Sequence, residues 1–308
     1  MEIALQFVLL ALGFVMLAKG ADWFVEGAAG IAMRFGIPQL VIGLTIVAMG
    51  TSAPEAAVSI AAAVKGNADI TIGNIVGSNI LNILVILGLA ASIVPIAVAR
   101  STVRIEIPFM IGVTALLFYQ GRDGSISLAD GGVLMVAFAA YMMYLYTMAM
   151  KSNVDSDLEE PGLPLGRCLL GAVGGLALII AGSNVTVGAA TSIATYAGLS
   201  ERFIGLTIVA LGTSLPELFT SVAAARRGNA DIAIGNIVGS NIFNILFVVG
   251  LSALIIDIPF ASAFNFDTYV ALGAAVLLLL CLLRTQRLQR WAGALMLVCY
   301  AAYLGYIL

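Results

Sequence analysis

The chain predicts an all-α membrane protein, with ten transmembrane helices arranged as two inverted five-helix repeats. Three observations carry this. Of 308 residues, 61% are hydrophobic and 10% charged, against roughly a quarter charged in soluble domains, and the mean hydropathy is +1.09. Apolar stretches of about 20 residues, enough to cross a bilayer, recur along the whole chain. Finally, residues 42–96 and 204–258 agree at 38 of 55 positions, without a gap, at an offset of 162.

The first span, near 3–32, lacks the basic start of a cleavable signal and stays apolar past Lys19, so it is expected to remain as a helix. The second, 38–64, is interrupted by Gly50 and Pro54. The third, 70–96, follows GNADI, where Asp69 is expected to cap the helix start. The fourth and fifth lie near 104–120 and 128–150. A polar stretch, Lys151 to Pro164, then divides the chain. The sixth span, 165–196, returns Gly175, Ile179 and Gly182 for Gly13, Leu17 and Gly20. The seventh and eighth, 202–225 and 232–256, repeat the interrupted pair, with Asp231 in the place of Asp69. The ninth and tenth, 268–284 and 290–308, close the second half; Gly293, Tyr303 and Tyr306 answer Gly131, Tyr141 and Tyr144. The organisation is therefore a first repeat at 1–146, a short acidic cytoplasmic linker at 147–162 and a second repeat at 163–308.

Five spans per half is an odd number, so the second half enters the membrane from the opposite side, the architecture from which alternating access follows. Lysine and arginine set the orientation. Arg34, Arg100, Arg104, Lys151, Arg167, Arg226, Arg227, Arg284, Arg287 and Arg290 fall in loops opposite the termini; Lys65, Arg122 and Arg202 fall on the termini side. Ten against three places both termini outside a cell membrane and the linker in the cytoplasm.

The chemistry lies in the repeated segment. In G-T-S-A-P-E, Gly50 to Glu55, Pro54 has no amide hydrogen and its ring clashes with the carbonyl of Gly50, so the helix must kink or unwind. Freed carbonyls at membrane depth need a partner, and a cation is a good one. Thr51 and Ser52 add hydroxyls and Glu55 a carboxylate; Thr213, Ser214 and Glu217 repeat the set after Gly212. An acid in such a stretch is costly and marks function by default. In G-N-I-V-G-S-N-I-L-N, Asn74, Ser78 and Asn82 stand four apart on one helix face, as do Asn236, Ser240 and Asn244. Gly73, Gly77, Gly235 and Gly239 let another helix approach.

These ligands are all oxygens, which favours hard cations, Ca²⁺ and Na⁺ above Mg²⁺. With no histidine, zinc-protease and histidine-triad chemistry is excluded, and Cys168, Cys281 and Cys299 read as small buried hydrophobes. Two glutamates give an empty site −2. One Ca²⁺, two or more Na⁺, or two protons cancel that charge, so a loaded carrier rearranges more readily than an empty one, which points to counter-transport. Asp22 and Glu26, without acidic counterparts, read as interfacial or cavity-facing. Trp23, Tyr144 and Trp291 read as interface anchors.

GTSxPE followed by GNxxGSNxxN, once per half, resembles the alpha repeats of the sodium/calcium exchangers of the cation/calcium antiporter superfamily, in their compact prokaryotic form. The resemblance covers essentially the whole chain. It implies a Na⁺/Ca²⁺ antiporter, not an enzyme, with Ca²⁺ and Na⁺ as substrates, no cofactor, no nucleic-acid partner, the lipid bilayer as surroundings and a functional monomer. It implies ligand roles for Glu55, Glu217, Thr51, Ser52, Thr213, Ser214, Ser78, Asn82, Ser240 and Asn244, and for the backbone carbonyls of Ala48 and Ala210. It implies that the first and sixth helices slide as a gate. Potassium-dependent relatives carry Asp where this chain has Asn244, so electrogenic, K⁺-independent exchange is expected. The alternative within transport is Ca²⁺/H⁺ exchange. A channel would pair such motifs between subunits rather than within one chain, and an intramembrane enzyme would need a nucleophile with a base, which is not evident.

Overall fold

A computed structural model describes residues 2–66, 68–152, 163–198 and 210–307. We label its helices α1 Glu2–Arg34, α2 Gln39–Thr51, α3 Ala53–Val64, α4 Ile70–Ile93 and α5 Thr102–Asp123. After them come α6 Leu128–Ser152, α7 Leu165–Tyr196, α8 Ala210–Thr213 and α9 Leu215–Arg226. The last are α10 Ala230–Ile255, α11 Ala263–Leu282 and α12 Arg290–Ile307. Eight of these are long and apolar enough to cross a bilayer, and α2 with α3 makes a ninth, bent by 52°. Residues 202–209 of the seventh predicted span lie outside the described residues; α8 and α9 form the rest of it.

α4 and α10 sit at the centre, buried for most of their length, as expected of helices that are apolar all round. α1, α6 and α12 turn most of their surface outward. On α1 the outward face carries Leu5, Phe7, Val8, Leu12 and Val15, which suits lipid. Two short antiparallel pairs join the halves: β1 Ile96–Ala97 with β4 Arg287–Leu288, and β2 Ser125–Ile126 with β3 Ile258–Pro259.

α1 and α7, with 33 and 32 residues, are each about 50 Å long at 1.5 Å per residue, far more than a hydrocarbon core of about 30 Å. They pack antiparallel along glycines. A Cβ added at Gly20 would lie 2.9 Å from the Gly175 carbonyl oxygen; one at Gly175 would lie 2.5 Å from the Phe24 amide; one at Gly182 would lie 2.9 Å from the Leu17 amide. Backbone therefore meets backbone, the use of small residues that packing in lipid favours.

Boundaries differ from expectation in places. α6 runs to Ser152, so the first six residues of the predicted linker, 147–152, are helical, and 153–162 lie outside the described residues. α4 stops at Ile93 and α10 at Ile255 because the chain turns extended at Val94 and Ile256 to form β1 and β3. α11 starts at Ala263, five residues before its predicted start, and ends at Leu282.

Candidate cation site

Ser52 and Ser214 are the points where the two broken helices bend. Their ψ values, 6° and 4°, leave the helical range, and the next helix restarts with Pro54 or Pro216 in its first turn. Proline tolerates that place because the first amide hydrogens of a helix have no internal acceptor. One residue on, Glu55 and Glu217 also occupy first turns, where the helix dipole favours a negative charge. Both side chains are fully buried.

The halves meet across these breaks. Ser52 Oγ donates to Glu217 Oε1 at 2.8 Å, and Ser214 Oγ donates to Glu55 Oε1 at 3.2 Å. Each glutamate is thus held by the serine of the other half. Ser78 Oγ reaches Glu55 Oε1 at 3.5 Å and Ser214 Oγ at 3.3 Å. Thr51 Oγ1 donates to Asn236 Oδ1 at 2.9 Å. Ser240 Oγ donates to the Ala48 carbonyl at 3.3 Å.

One turn beyond, four asparagines form a reciprocal set. Asn79 Nδ2 donates to the Asn241 carbonyl at 3.1 Å, and Asn241 Nδ2 to the Asn79 carbonyl at 3.2 Å. Asn82 Nδ2 donates to Asn241 Oδ1 at 2.9 Å, and Asn244 Nδ2 to Asn79 Oδ1 at 3.1 Å. Contacts that exchange partners in this way are what a two-fold relation gives. Asn82 and Asn244 each open a wide π-helical turn, Asn82–Leu87 and Asn244–Val249, a distortion frequent at functional sites.

Four oxygens are left over. Glu55 Oε2, Glu217 Oε2, Asn82 Oδ1 and Asn244 Oδ1 are buried and have no hydrogen-bond partner among the described residues. Such groups are rare because each one costs free energy. All four are acceptors, and they come from α3, α9, α4 and α10. A cation satisfies acceptors of this kind directly. Two carboxylates with amide and hydroxyl oxygens suit a hard ion, and among the described residues no three His, Cys, Asp or Glu side chains gather for a transition metal.

The sequence pattern of the sodium/calcium exchanger protein family matches residues 5–147 and 168–308. The chain belongs to the sodium/calcium exchanger family. It is 41% identical over 314 residues to the putative antiporter CaxA of Alkalimonas amylolytica, covering 98% of each chain. It is 33% identical to the sodium/calcium exchanger MaX1 of Methanosarcina acetivorans, again over 98% of each. Its structure resembles that of the sodium-calcium exchanger NCX_Mj soaked with zero Na⁺ and Ca²⁺, with a TM-score of 0.87, 33% identity, and 99% of this chain and 100% of the other covered. This exchanger is therefore a multi-pass membrane protein of an antiporter family.

In this exchanger the predicted site residues fall into two groups. Glu55, Glu217, Ser52, Ser214, Ser78, Thr51 and Ser240 come together at the two breaks, and Asn82 and Asn244 lie one turn beyond, bonded to Asn241 and Asn79. Thr213 is half-buried beside Ser214. The Ala48 carbonyl is there too, but already accepts the Ser52 amide at 3.0 Å and hydroxyls from Thr51 and Ser240. Ala210 opens α8, and the Ser214 amide bonds to Leu211 instead, at 3.2 Å.

Other expectations need correction. Asn74 and Asn236 turn their amide nitrogens to Ser59 and Ser221, both at 2.9 Å, and to the carbonyls of Glu55 and Glu217. They brace the helices that carry the glutamates. Asp231 makes no capping bond; Asn229 holds the cap position and Asp231 lies in the first turn. Before Asp69 the cap position is Ala68, and the Asp69 side chain lies outside the described residues. Gly235 and Gly239 approach Gly43 and Leu44 closely, whereas Gly77 meets nothing within 4 Å among the described residues. Asp22 and Glu26 keep the interfacial reading, since both are partly exposed, and they pair with Arg227 at 3.1 and 3.2 Å. Tyr144 is no simple anchor, since its hydroxyl bonds to Glu106. Sequence reasoning missed Asn79 and Asn241 as clamps, although both stand in the repeated G-S-N.

Proposed function

We propose that this exchanger moves Ca²⁺ against Na⁺ by alternating access, electrogenically and without K⁺. The observation that carries the reading is the set of four unpartnered buried oxygens, on Glu55, Glu217, Asn82 and Asn244. Ca²⁺ takes six to eight oxygens in loose geometry, and two carboxylates match its charge. Thr51, Ser52, Ser78, Thr213, Ser214 and Ser240, with the carbonyls of Ala48 and Ala210, supply neutral oxygens for Na⁺ in the same space. The relative MaX1 is itself named a sodium/calcium exchanger. Three Na⁺ at a site of −2 leave +1, so a cycle of three Na⁺ for one Ca²⁺ carries charge. With Asn at 82 and 244, the site lacks a third carboxylate that an additional K⁺ would balance.

The architecture we propose is ten spans as two inverted repeats, 1–146 and 163–308, joined by a cytoplasmic linker, in a cell membrane with both termini outside. The paired strands support it. β1 and β4 follow the third and ninth spans, and β2 and β3 follow the fourth and eighth; with ten spans each pair of loops falls on one side. The site closes within one chain, which supports function as a monomer.

Ion flux in proteoliposomes tests the reading. Outward Na⁺ gradients should drive ⁴⁵Ca²⁺ uptake with K⁺ absent, and an imposed membrane potential should change its rate. An absolute K⁺ requirement overturns the K⁺ independence. Uptake driven by a pH gradient with Na⁺ absent makes the chain a Ca²⁺/H⁺ exchanger instead.

A further inference from the structure

A second buried carboxyl lies outside this site. Glu106, in the first turns of α5, is fully buried. Tyr144 of α6 donates a hydrogen bond to its Oε1, while Oε2 has no hydrogen-bond partner among the described residues. Two buried hydroxyls lie close by without a well-formed hydrogen bond among the described residues: Thr102 Oγ1, one turn earlier on the same helix and facing the Glu106 carboxylate, and Tyr141 Oη, one turn from Tyr144 on α6. Tyr141 is fixed by stacking on Phe109 at 5.3 Å. The backbone is distorted here as well. Thr102–Glu106 form a π-helical turn whose end sends the Ile107 amide back to the Thr102 carbonyl. Pro108 then has no amide hydrogen, so the Arg104 carbonyl loses the donor it would have in a regular helix. A wide turn, a proline, a threonine hydroxyl and a buried carboxylate are the parts from which the main site is also built.

Among the described residues no counter-charge reaches Glu106. Among the described residues, the ionisable groups that bear on it are Tyr144 and Tyr141 of α6, and none comes from α10 or α11, which also pack on α5. Arg104 on its own helix is exposed. A buried carboxylate without a cation is costly in a membrane. The other half has no such place: at the offset of 162, Thr102 becomes Phe264 and Glu106 becomes Thr268. Its nearest analogue, Asp267, bonds to Tyr303 at 2.9 Å but is only half-buried.

We propose that Thr102, Glu106 and Tyr141 form a second cation site, for one monovalent ion of the Na⁺ class in competition with a proton, with Tyr144 as the residue that positions the carboxylate. One carboxylate matches a single positive charge, and a Na⁺ with its water meets these three oxygens together. The site serves one half of the molecule only, and it stands whether or not the main site exchanges Ca²⁺ for Na⁺.

Infrared difference spectra of the whole protein in proteoliposomes test this. Subtracting the spectrum of Glu106→Gln removes every other carboxyl, the main-site pair included, and leaves the Glu106 band. With choline as the only monovalent salt cation and at low pH, a protonated-carboxyl band should remain after subtraction. Na⁺ added at constant pH and ionic strength should remove it saturably. Tyr144→Phe should require about tenfold more Na⁺, the loss of one hydrogen bond to a charged group. If Glu106→Gln does not fold, spectra of one sample with and without Na⁺ show the Na⁺-sensitive carboxyl bands directly, and the Glu106 component is the one that needs more Na⁺ in Thr102→Val, which removes only a hydroxyl ligand and leaves the main-site pair untouched. A band indifferent to Na⁺ at every pH overturns the proposal and leaves a structural acid held by tyrosines. A band that answers to pH alone, or none at any pH, overturns it as well.

Discussion

Glu55 and Glu217 are each held by the serine of the opposite half, Ser214 and Ser52, so either carboxylate reports on both breaks. Glu55→Gln or Glu217→Gln keeps the shape and removes half of the site's charge. Taking one charge from a buried divalent site costs at least about 3 kcal/mol on the scale of membrane insertion, so Na⁺-driven ⁴⁵Ca²⁺ uptake should fall about 100-fold while the protein still inserts. Near-normal uptake in either variant would remove the assignment. Asn244→Asp tests the same chemistry in the other direction. A third carboxylate in one buried site cannot stay ionised beside two others without a cation or a proton, so transport should become more sensitive to pH. An unchanged pH profile would show that Asn244 faces away from the ions. Much of this was legible in the sequence, because proline beside glutamate in an apolar stretch has few other uses. Asn79 and Asn241 were not legible as clamps. They follow Ser78 and Ser240 by one residue, hence on another helix face, and what that face meets depends on tertiary packing between α4 and α10 rather than on spacing.

The glycines of α1 and α7 were readable as a repeat, but which of them touch the partner helix was not. Gly174 and Gly175 are neighbours in sequence; a Cβ on Gly174 meets nothing within 4 Å among the described residues, while one on Gly175 would crowd the Phe24 amide and, at 2.7 Å, the Gly20 carbonyl. A backbone atom cannot yield as a flexible side chain does. Gly175→Val should therefore force α1 and α7 apart, costing about 1–3 kcal/mol by overpacking, and slow exchange more than it weakens Ca²⁺ binding. Gly174→Val should be tolerated, because its side chain faces open space. Paired measurements of thermal stability and exchange rate in detergent and in proteoliposomes check this; equal effects at the two positions would mean that the helices do not meet along this line. The ion pairs of Asp22 and Glu26 with Arg227 tie the same long helix to the turn after α9. The sequence displayed the charges but not that they meet, since 201 residues or more separate the partners.

At the scale of the whole molecule, the proposed topology requires the two repeated segments, alike at 38 of 55 positions, to be inserted in opposite senses, and the charges that follow their broken helices differ. After the first broken helix comes Lys65 alone; after the second come Arg226 and Arg227. By the positive-inside rule Arg226 and Arg227 should be cytoplasmic. Arg227 also pairs with α1 at the end that faces the Arg34 loop, so the fold brings together charges that the count of lysine and arginine assigns to one side. β1 and β4 add Arg287 to that face. The linker contains Lys151, is followed by Arg167, and should lie there too. A cysteine introduced at Ser156 tests the orientation, in a background where Cys168, Cys281 and Cys299, all free thiols, are replaced by serine or alanine. In intact cells it should resist a membrane-impermeant thiol reagent, and it should react once the membrane is permeabilised. Rapid labelling in intact cells would turn the molecule over: both termini would then be cytoplasmic, and the ten cationic loop residues would face outward against the rule that assigns them.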